Sequence, residues 1–451
     1  MRAMNADDWS IFCKYNHRVR SINMAHEPES GHGCIWLWDE LGHPPFSLPL
    51  LPNLTSLTWS VYNGEYPGIQ LFATQTLTTF NIHGPVLRSR WSEGYGATRV
   101  HSILSRISTL CPSLSHFSLH GLSSICTSTA LQCWPHLLSV RTGTVSNAAI
   151  LHLAGLSSLQ ELHIELLPIP IDAETRKLLQ CPAFCALREL SVTGSLPSLD
   201  TFLGALSIAP KILSIIIEDS DNIVSNVTED FAVSVTHISN AYAHGALEDL
   251  QIYVKKYAYN TLNGAAFEPL CAFHNLRKFH FRAQQNVRLE DIILVRMAKA
   301  WPHLEYLAIH AREDNDIVDC GDTTVYSFIS LLQHCPRLNS VAIAIDWSAL
   351  DQRYVFKQLL HQGFVHDTLT TANFCRSRIR YTKRVAAFIA AITPKLKNFI
   401  YDDFNCMDSL TYFSDDGHEY NRPLEECEKS ADRLYTVEHL LNASSEVREQ
   451  E

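Results

Sequence analysis

The segment Glu161-Leu162-His163-Ile164-Glu165 sets two carboxylates and an imidazole at alternate positions. In an extended strand that spacing brings all three to one side. Such a trio has the group types for acid–base or metal chemistry. The same alternation is also what any half-buried strand presents to solvent, and the solvated face is the simpler account. His361 and His366, five residues apart, fit no common metal-ligand spacing. Arg376, Arg378, Arg380, Lys383 and Arg384 form the densest basic cluster, suited to an acidic partner or to phosphates. The plainer account is a solvated edge, or one paired with the acidic C-terminal stretch. The sequence contains no G-x-S-x-G, H-E-x-x-H, Walker loop or G-x-G-x-x-G. No enzymatic activity, metal or cofactor is therefore expected.

The elements carrying these groups follow a repeated phrase, Leu-x-x-Leu-x-Leu in its ideal form. It reads Leu276-x-x-Phe279-x-Phe281 and Leu304-x-x-Leu307-x-Ile309 on either side of an amphipathic stretch. There Leu289, Ile292, Ile293 and Met297 fall on one predicted helical face. Further copies are centred on Leu57, Phe80, Phe117, Val140, Leu162, Leu190, Ile215, Leu250, Val341, Ala372 and Phe399, thirteen in all. The seventh reads Ile212/Ile215/Ile217, and the fourth ends on Thr142. Successive centres are 22 to 37 residues apart, near the roughly 20–29 residues of a leucine-rich repeat with insertions. Many copies carry a Pro-x-Leu lead-in: LPNL, CPSL, WPHL, CPRL, TPKL. One strand and one helix cannot bury an apolar face alone, so the units must stack on each other. The fold expected is an α/β leucine-rich-repeat solenoid, with a curved parallel sheet on its concave face and helices and loops on its convex face.

Residues 1–50 read as an atypical capping segment, 51–404 as the solenoid and 405–451 as an acidic cap and tail. Trp9, Phe12, Tyr15, Val19 and Ile22 predict a short helix followed by an irregular strand. Gly31 to Leu48 reads as a loop whose tryptophans pack over the solenoid end. Helices are predicted over Arg99–Leu110, Leu199–Leu206 capped by Ser198, Val325–Gln333 capped by Thr323 or Thr324, and from Val385 to Ile392. Segments 61–72 and 142–155 are only weakly helical. Leu434, Val437 and Leu441 mark a last helix, followed by a polar tip. No Asn ladder follows the phrases: the places that would hold it carry Tyr62, Leu122, Ser195, Gln284, Arg312 and Asp346. The backbone there must find its partners one by one.

The formal charge of −11 is uneven. Residues 414–451 hold eleven acids and four bases, which leaves the remainder close to neutral. That balance gives nucleic-acid binding no general electrostatic support. No run approaches the roughly 18 apolar residues of a membrane span, and the acidic start MRAMNADDWS does not resemble a secretion signal. An intracellular protein is expected, so its three N-x-S/T sequons carry no meaning. The thirteen cysteines are scattered without CxxC. Cys111, Cys181 and Cys335, each before a Pro, read as one repeated buried position.

The phrases, their CPxL and WPxL lead-ins and the opening DWSIFCKYNHRVRSINM together resemble the leucine-rich regions of fungal, especially basidiomycete, F-box proteins. Asp8, Trp9, Phe12, Tyr15, Val19 and Arg20 match a D-W-x-R-F-x-x-Y-x-x-x-V-R segment that follows the F-box in that family. No Leu-Pro-x-Glu-Ile-Leu-type F-box stretch occurs among these residues. The resemblance therefore implies only the substrate-recognition half of a cullin-RING (SCF) ubiquitin-ligase receptor, with adaptor binding dependent on an F-box upstream.

Outward-pointing strand residues would form the recognition face for a protein partner. They are Glu161, His163, Glu165, Glu189 and Glu218, then Tyr253, Lys278, His280, Arg282, Tyr306 and His310. An acidic patch lies beside a basic, aromatic one in this reading, with Tyr and Arg as anchors. The expected state is a monomer that binds neither nucleic acid nor membrane. The alternatives are a stand-alone repeat scaffold or adaptor and, resting on Glu161/His163/Glu165 alone, a cryptic hydrolase.

Overall fold

The computed structural model of the 451-residue chain describes residues 4–24, 41–42, 44–60, 68–83, 95–120, 125–181, 183–218, 227–255, 261–283, 287–311, 322–361, 363–374, 377–400, 433 and 435–442. The chain divides into two compact units, Met1–Pro210 and Lys211–Glu451.

In the first unit the sheet runs in chain order through β1 (Ser21–Met24), β2 (Ser56–Ser60), β3 (Thr79–His83), β4 (His116–His120), β5 (Ser139–Val145), β6 (Glu161–Leu166) and β7 (Glu189–Gly194). Every described pairing is parallel. Its helices are α1 (Ala6–Tyr15), α2 (Tyr95–Leu110), α3 (Ile125–Leu131), α4 (Asn147–Ala154), α5 (Ala173–Leu179) and α6 (Leu196–Leu203). The expected N-terminal helix and irregular strand are thus present. Trp9 is buried against Phe12 and Phe46.

The second unit carries β8 (Ile212–Ile217), β9 (Asp249–Val254), β11 (Lys278–Ala283), β13 (Tyr306–Ala311), β14 (Ser340–Ala342), β15 (Thr371–Asn373) and β16 (Asn398–Ile400) in that sheet order. A two-residue pair, β10 (Leu262–Asn263) with β12 (Val287–Arg288), stands apart from it. The helices are α7 (Val227–Ala241), α8 (Asp291–Ala300), α9 (Val325–His334), α10 (Arg353–His361) and α11 (Thr382–Ile392).

The phrase sets the register. Its middle and last positions lie opposite one another on neighbouring strands, as in Phe279↔Leu307 and Phe281↔Ile309, and both are buried. Each such side chain removed from water contributes roughly 1.5–3 kcal/mol. A second regularity precedes most strands of the long ladder. The carbonyl just before such a strand accepts two consecutive N–H groups of the next repeat: Thr55 O from Thr78 and Thr79, Glu248 O from Arg277 and Lys278, Asn339 O from Thr370 and Thr371.

The Pro-x-Leu lead-in is a tight turn. The residue before Pro is buried, and in four of these turns its carbonyl accepts the N–H of the phrase's first Leu: Leu54→Leu51, Leu304→Trp301, Leu338→Cys335 and Leu396→Thr393. Pro supplies the fixed φ such a turn needs. Cys111 and Cys335 fill this place, but Cys181 is exposed. In that repeat Phe184, three residues before Leu187, takes the buried place and accepts the Leu187 N–H, with a φ of 52°.

At three of the described turns hydroxyls satisfy backbone groups. Ser198 Oγ donates to Leu167 O (2.8 Å) and Thr323 Oγ1 to Leu289 O (2.7 Å), while Ser377 Oγ accepts from Ile345 N (2.8 Å).

Several sequence expectations need correction. In the seventh phrase Leu213 lies opposite Leu250 and Ile215 opposite Ile252, so the phrase reads Pro210/Leu213/Ile215 and Ile212 is on the other face. Helix α6 begins at Leu196, because Pro is tolerated in a first turn; Ser198 is buried inside it rather than capping it. Residues 147–154 form a regular helix capped by Ser146. In β5 the register shifts between Arg141 and Thr144, so Val145 takes the buried place near the strand end, opposite Leu166. On α8 the buried residues are Ile293, Leu294, Met297 and Ala298, while Ile292 is 55% exposed.

Thr324 does cap α9. Residues 69–72 form a 3₁₀ turn. The segment 435–442 is helical with Val437 buried, and Arg433 Nη1 donates to Ile379 O. The tryptophans of the 31–40 stretch, Arg376 and the polar tip lie outside the described residues.

Candidate functional face

Alternation along each strand leaves one row of side chains for packing and one for the opposite face, and the candidate residues occupy the latter. In the first unit, Glu161, His163 and Glu165 do share one face of β6. They do not form an isolated trio. Ser139 Oγ donates to Glu161 Oε2 at 2.9 Å, and the same oxygen lies 3.5 Å from Arg141 Nη2. His163 Nε2 sits 2.8 Å from Glu189 Oε1 on the next strand. Burial, and then the Arg141 charge, hold the His163 imidazole below its ordinary range, opposed by Glu189 and Glu161. Glu165 lies in register with Thr144 and Thr193. Glu161 and Glu189 thus each meet a neighbouring side chain, and Arg141 is the cation beside the three carboxylates of this face.

In the second unit Glu218 follows β8 and pairs with Lys255 Nζ at 2.6 Å. Tyr253, His280 and Tyr306 come from three successive strands and meet edge to face. The Tyr253 and His280 centroids are 5.1 Å apart, those of His280 and Tyr306 6.1 Å. Burial, reinforced by the Arg282 charge, pushes the His280 pKa down to about 4. Burial, with Tyr253 and Asp249 nearby, raises that of Tyr306. Lys278 is exposed, 4.0 Å from Asp249 Oδ2. Arg282 lies in register with Tyr253 on one side and His310 on the other. The His310 side chain is outside what the structure describes.

Arg141, Ser139, Asp249 and Gln251 belong to these faces but were not singled out in the sequence. The signal was present: each flanks the middle position of a phrase, as His163 and Glu161 do. Among the described residues no group of three or more His, Cys, Asp or Glu could hold a metal ion. None of their helices is long and apolar enough to cross a membrane. In the basic cluster, Arg384 Nη1 donates to Leu350 O (3.1 Å) and to Asp351 O, and Arg380 and Arg384 lie over the Tyr381 ring.

Stacked strand-plus-helix repeats on a parallel ladder define an α/β leucine-rich-repeat solenoid, a fold whose sheet face serves as an extended binding surface. No family model matches the chain, and no curated protein matches it significantly. Solved structures similar to it include an internalin of Listeria monocytogenes (13% identity, 81% of this chain and 89% of that one, TM-score 0.39). Another is a leucine-rich-repeat protein of Leptospira interrogans (12%, 89% and 88%, 0.40). A third is a chain of the yeast Rad7–Elc1 complex (12%, 67% and 82%, 0.33).

Proposed function

We propose that the protein is a non-enzymatic recognition module that holds another protein against the outward face of its repeat strands. The observation that carries this reading is the Tyr253–His280–Tyr306 row. Rigid aromatic rings on adjacent hydrogen-bonded strands offer contact area at low entropic cost, and Arg282 lies beside them. The recognition role extends to an intracellular, monomeric substrate receptor of the F-box type feeding a cullin-RING ubiquitin ligase. That step rests on the resemblance of residues 8 to about 404, and adaptor binding on an F-box upstream.

A stand-alone scaffold is the second reading, resting on the same strand face without the ligase step. The hydrolase reading is weakened because Glu161 and His163 are each engaged by a neighbour.

The test joins transcript 5′-end sequencing to a pulldown from native cells with the wild type and with Tyr306→Ala/Arg282→Ala. An in-frame F-box with ligase subunits captured, and other prey lost from the variant, supports the receptor. Capture without ligase subunits leaves the scaffold. Prey unchanged by the double substitution refutes this face as the binding surface.

A further inference from the structure

Charged side chains on the strand faces come with partners: Arg141 with Glu161, Glu189 with His163, Lys278 with Asp249. Arg282 is different. Arg282 is half-buried on β11, and among the described residues it has no hydrogen bond or ion pair. A cation without a counter-charge in a row of otherwise paired charges is a place where an anion can gain a charge-assisted bond. The guanidinium geometry selects further, because five N–H donors in a planar fork match a carboxylate two to two. The neighbourhood sharpens the case. Tyr253 lies opposite it in register, and His280, two residues earlier, bridges Tyr253 and Tyr306. The unprotonated His280 adds no second charge at neutral pH. Among the described residues an unpaired cation thus stands at one end of the aromatic row, with the Tyr306 hydroxyl also unpartnered.

We infer that this face of the second unit binds an acidic, aromatic-bearing segment of a partner protein, with one Asp or Glu carboxylate seated on the Arg282 guanidinium and adjoining side chains lying on Tyr253, His280 and Tyr306. The inference rests on the recognition reading above and adds the chemistry of what is recognised. No bond is made or broken.

The test uses the full chain and two fluorescein-labelled decapeptides, one alternating Glu and Phe, the other Gln and Phe. The Glu peptide is expected to bind about tenfold or more tightly than the Gln peptide. Arg282→Gln should abolish that preference while leaving the circular dichroism and melting temperature unchanged. Arg282→Lys should recover only part of it, since a point charge replaces the fork.

Equal binding of both peptides, a preference that survives Arg282→Gln, or no binding of either at about 1 mM overturns the proposal. Tyr306→Ala separates the two levels of the argument. If it weakens both peptides while no Glu preference exists, the face binds protein and only the carboxylate assignment fails. If no substitution on this face alters binding, the recognition reading falls with it. A synthetic peptide of residues 414–432, this chain's own acidic stretch, serves as competitor. Displacement by it at lower concentration than by unlabelled Glu peptide assigns the site to an internal segment and overturns an external partner.

Discussion

The Tyr253 hydroxyl lies 3.1 Å from His280 Nδ1 across the β9–β11 pair, and burial keeps that imidazole neutral down to about pH 4. Unfolding returns it to its ordinary value of 6.5, so below that pH the unfolded chain binds the proton first. The stabilisation is therefore complete above pH 6.5 and is lost as pH falls from 6.5 toward 4. Its size is on the order of 3 kcal/mol. His280→Phe should flatten the acid limb of a urea-midpoint-against-pH curve relative to wild type. His163 and His366 shift in the same direction and persist in both proteins. An identical acid limb in the variant would rule His280 out as a contributor.

Asp291 joins consecutive repeats, its Oδ1 accepting from Thr324 N at 2.6 Å and its Oδ2 from Thr324 Oγ1 at 2.7 Å. Removing it strands a part-buried N–H and hydroxyl. Asp291→Ala should cost about 1–3 kcal/mol, and Thr324→Val a similar amount, because the Asp291 bond to the Thr324 backbone N–H survives while the Thr324 cap of α9 is lost. Combining the two should cost less than their sum. Denaturant midpoints for the three variants give the comparison; strict additivity would mean the two side chains act independently.

The corrected face of α8 separates two similar residues. Leu294 is fully buried and Ile292 is mostly exposed. Leu294→Ala should destabilise by about 2–5 kcal/mol, whereas Ile292→Ala should stay within about 0.5 kcal/mol. Thermal melts of both variants suffice, and equal losses would place both side chains in the core.

Burial pushes the thiols of Cys111 and Cys335 up to about 11 and about 12, and the Cys335 sulfur lies 3.5 Å from Trp301 O. Neither should react with iodoacetamide at pH 8 without unfolding, since the thiolate is the nucleophile. Cys13, Cys133, Cys181 and Cys185 are exposed and should be labelled within the native state. Peptide mapping by mass spectrometry reads each site. Labelling of Cys335 as fast as Cys181 would mean the buried turn opens readily.

Repeat spacing made the architecture legible because one stacking unit, written many times, leaves few ways to bury its apolar face. Where the sequence misled, a local rule met a competing one. At Ile212, a run of three isoleucines allowed the phrase to be placed two residues late, and only pairing with β9 fixes it. At Ile292, an i, i+3, i+4 pattern counted a residue that the helix turns outward. At Cys181, the Cys-Pro letters matched while the spacing to Leu187 did not.

The sequence by itself determined the strand-and-helix repeat and, on most strands, which side chains leave the core, because side-chain alternation on a strand is a property of the backbone. Which of those side chains meet was decided by tertiary structure. Glu189 and His163 lie 26 residues apart in the chain, as do His280 and Tyr306, and register alone makes them neighbours. Whether a charge is paired, as at Glu161, or unpaired among the described residues, as at Arg282, depends on what the next strand places opposite it, and loop lengths between repeats set that register only once the chain has stacked.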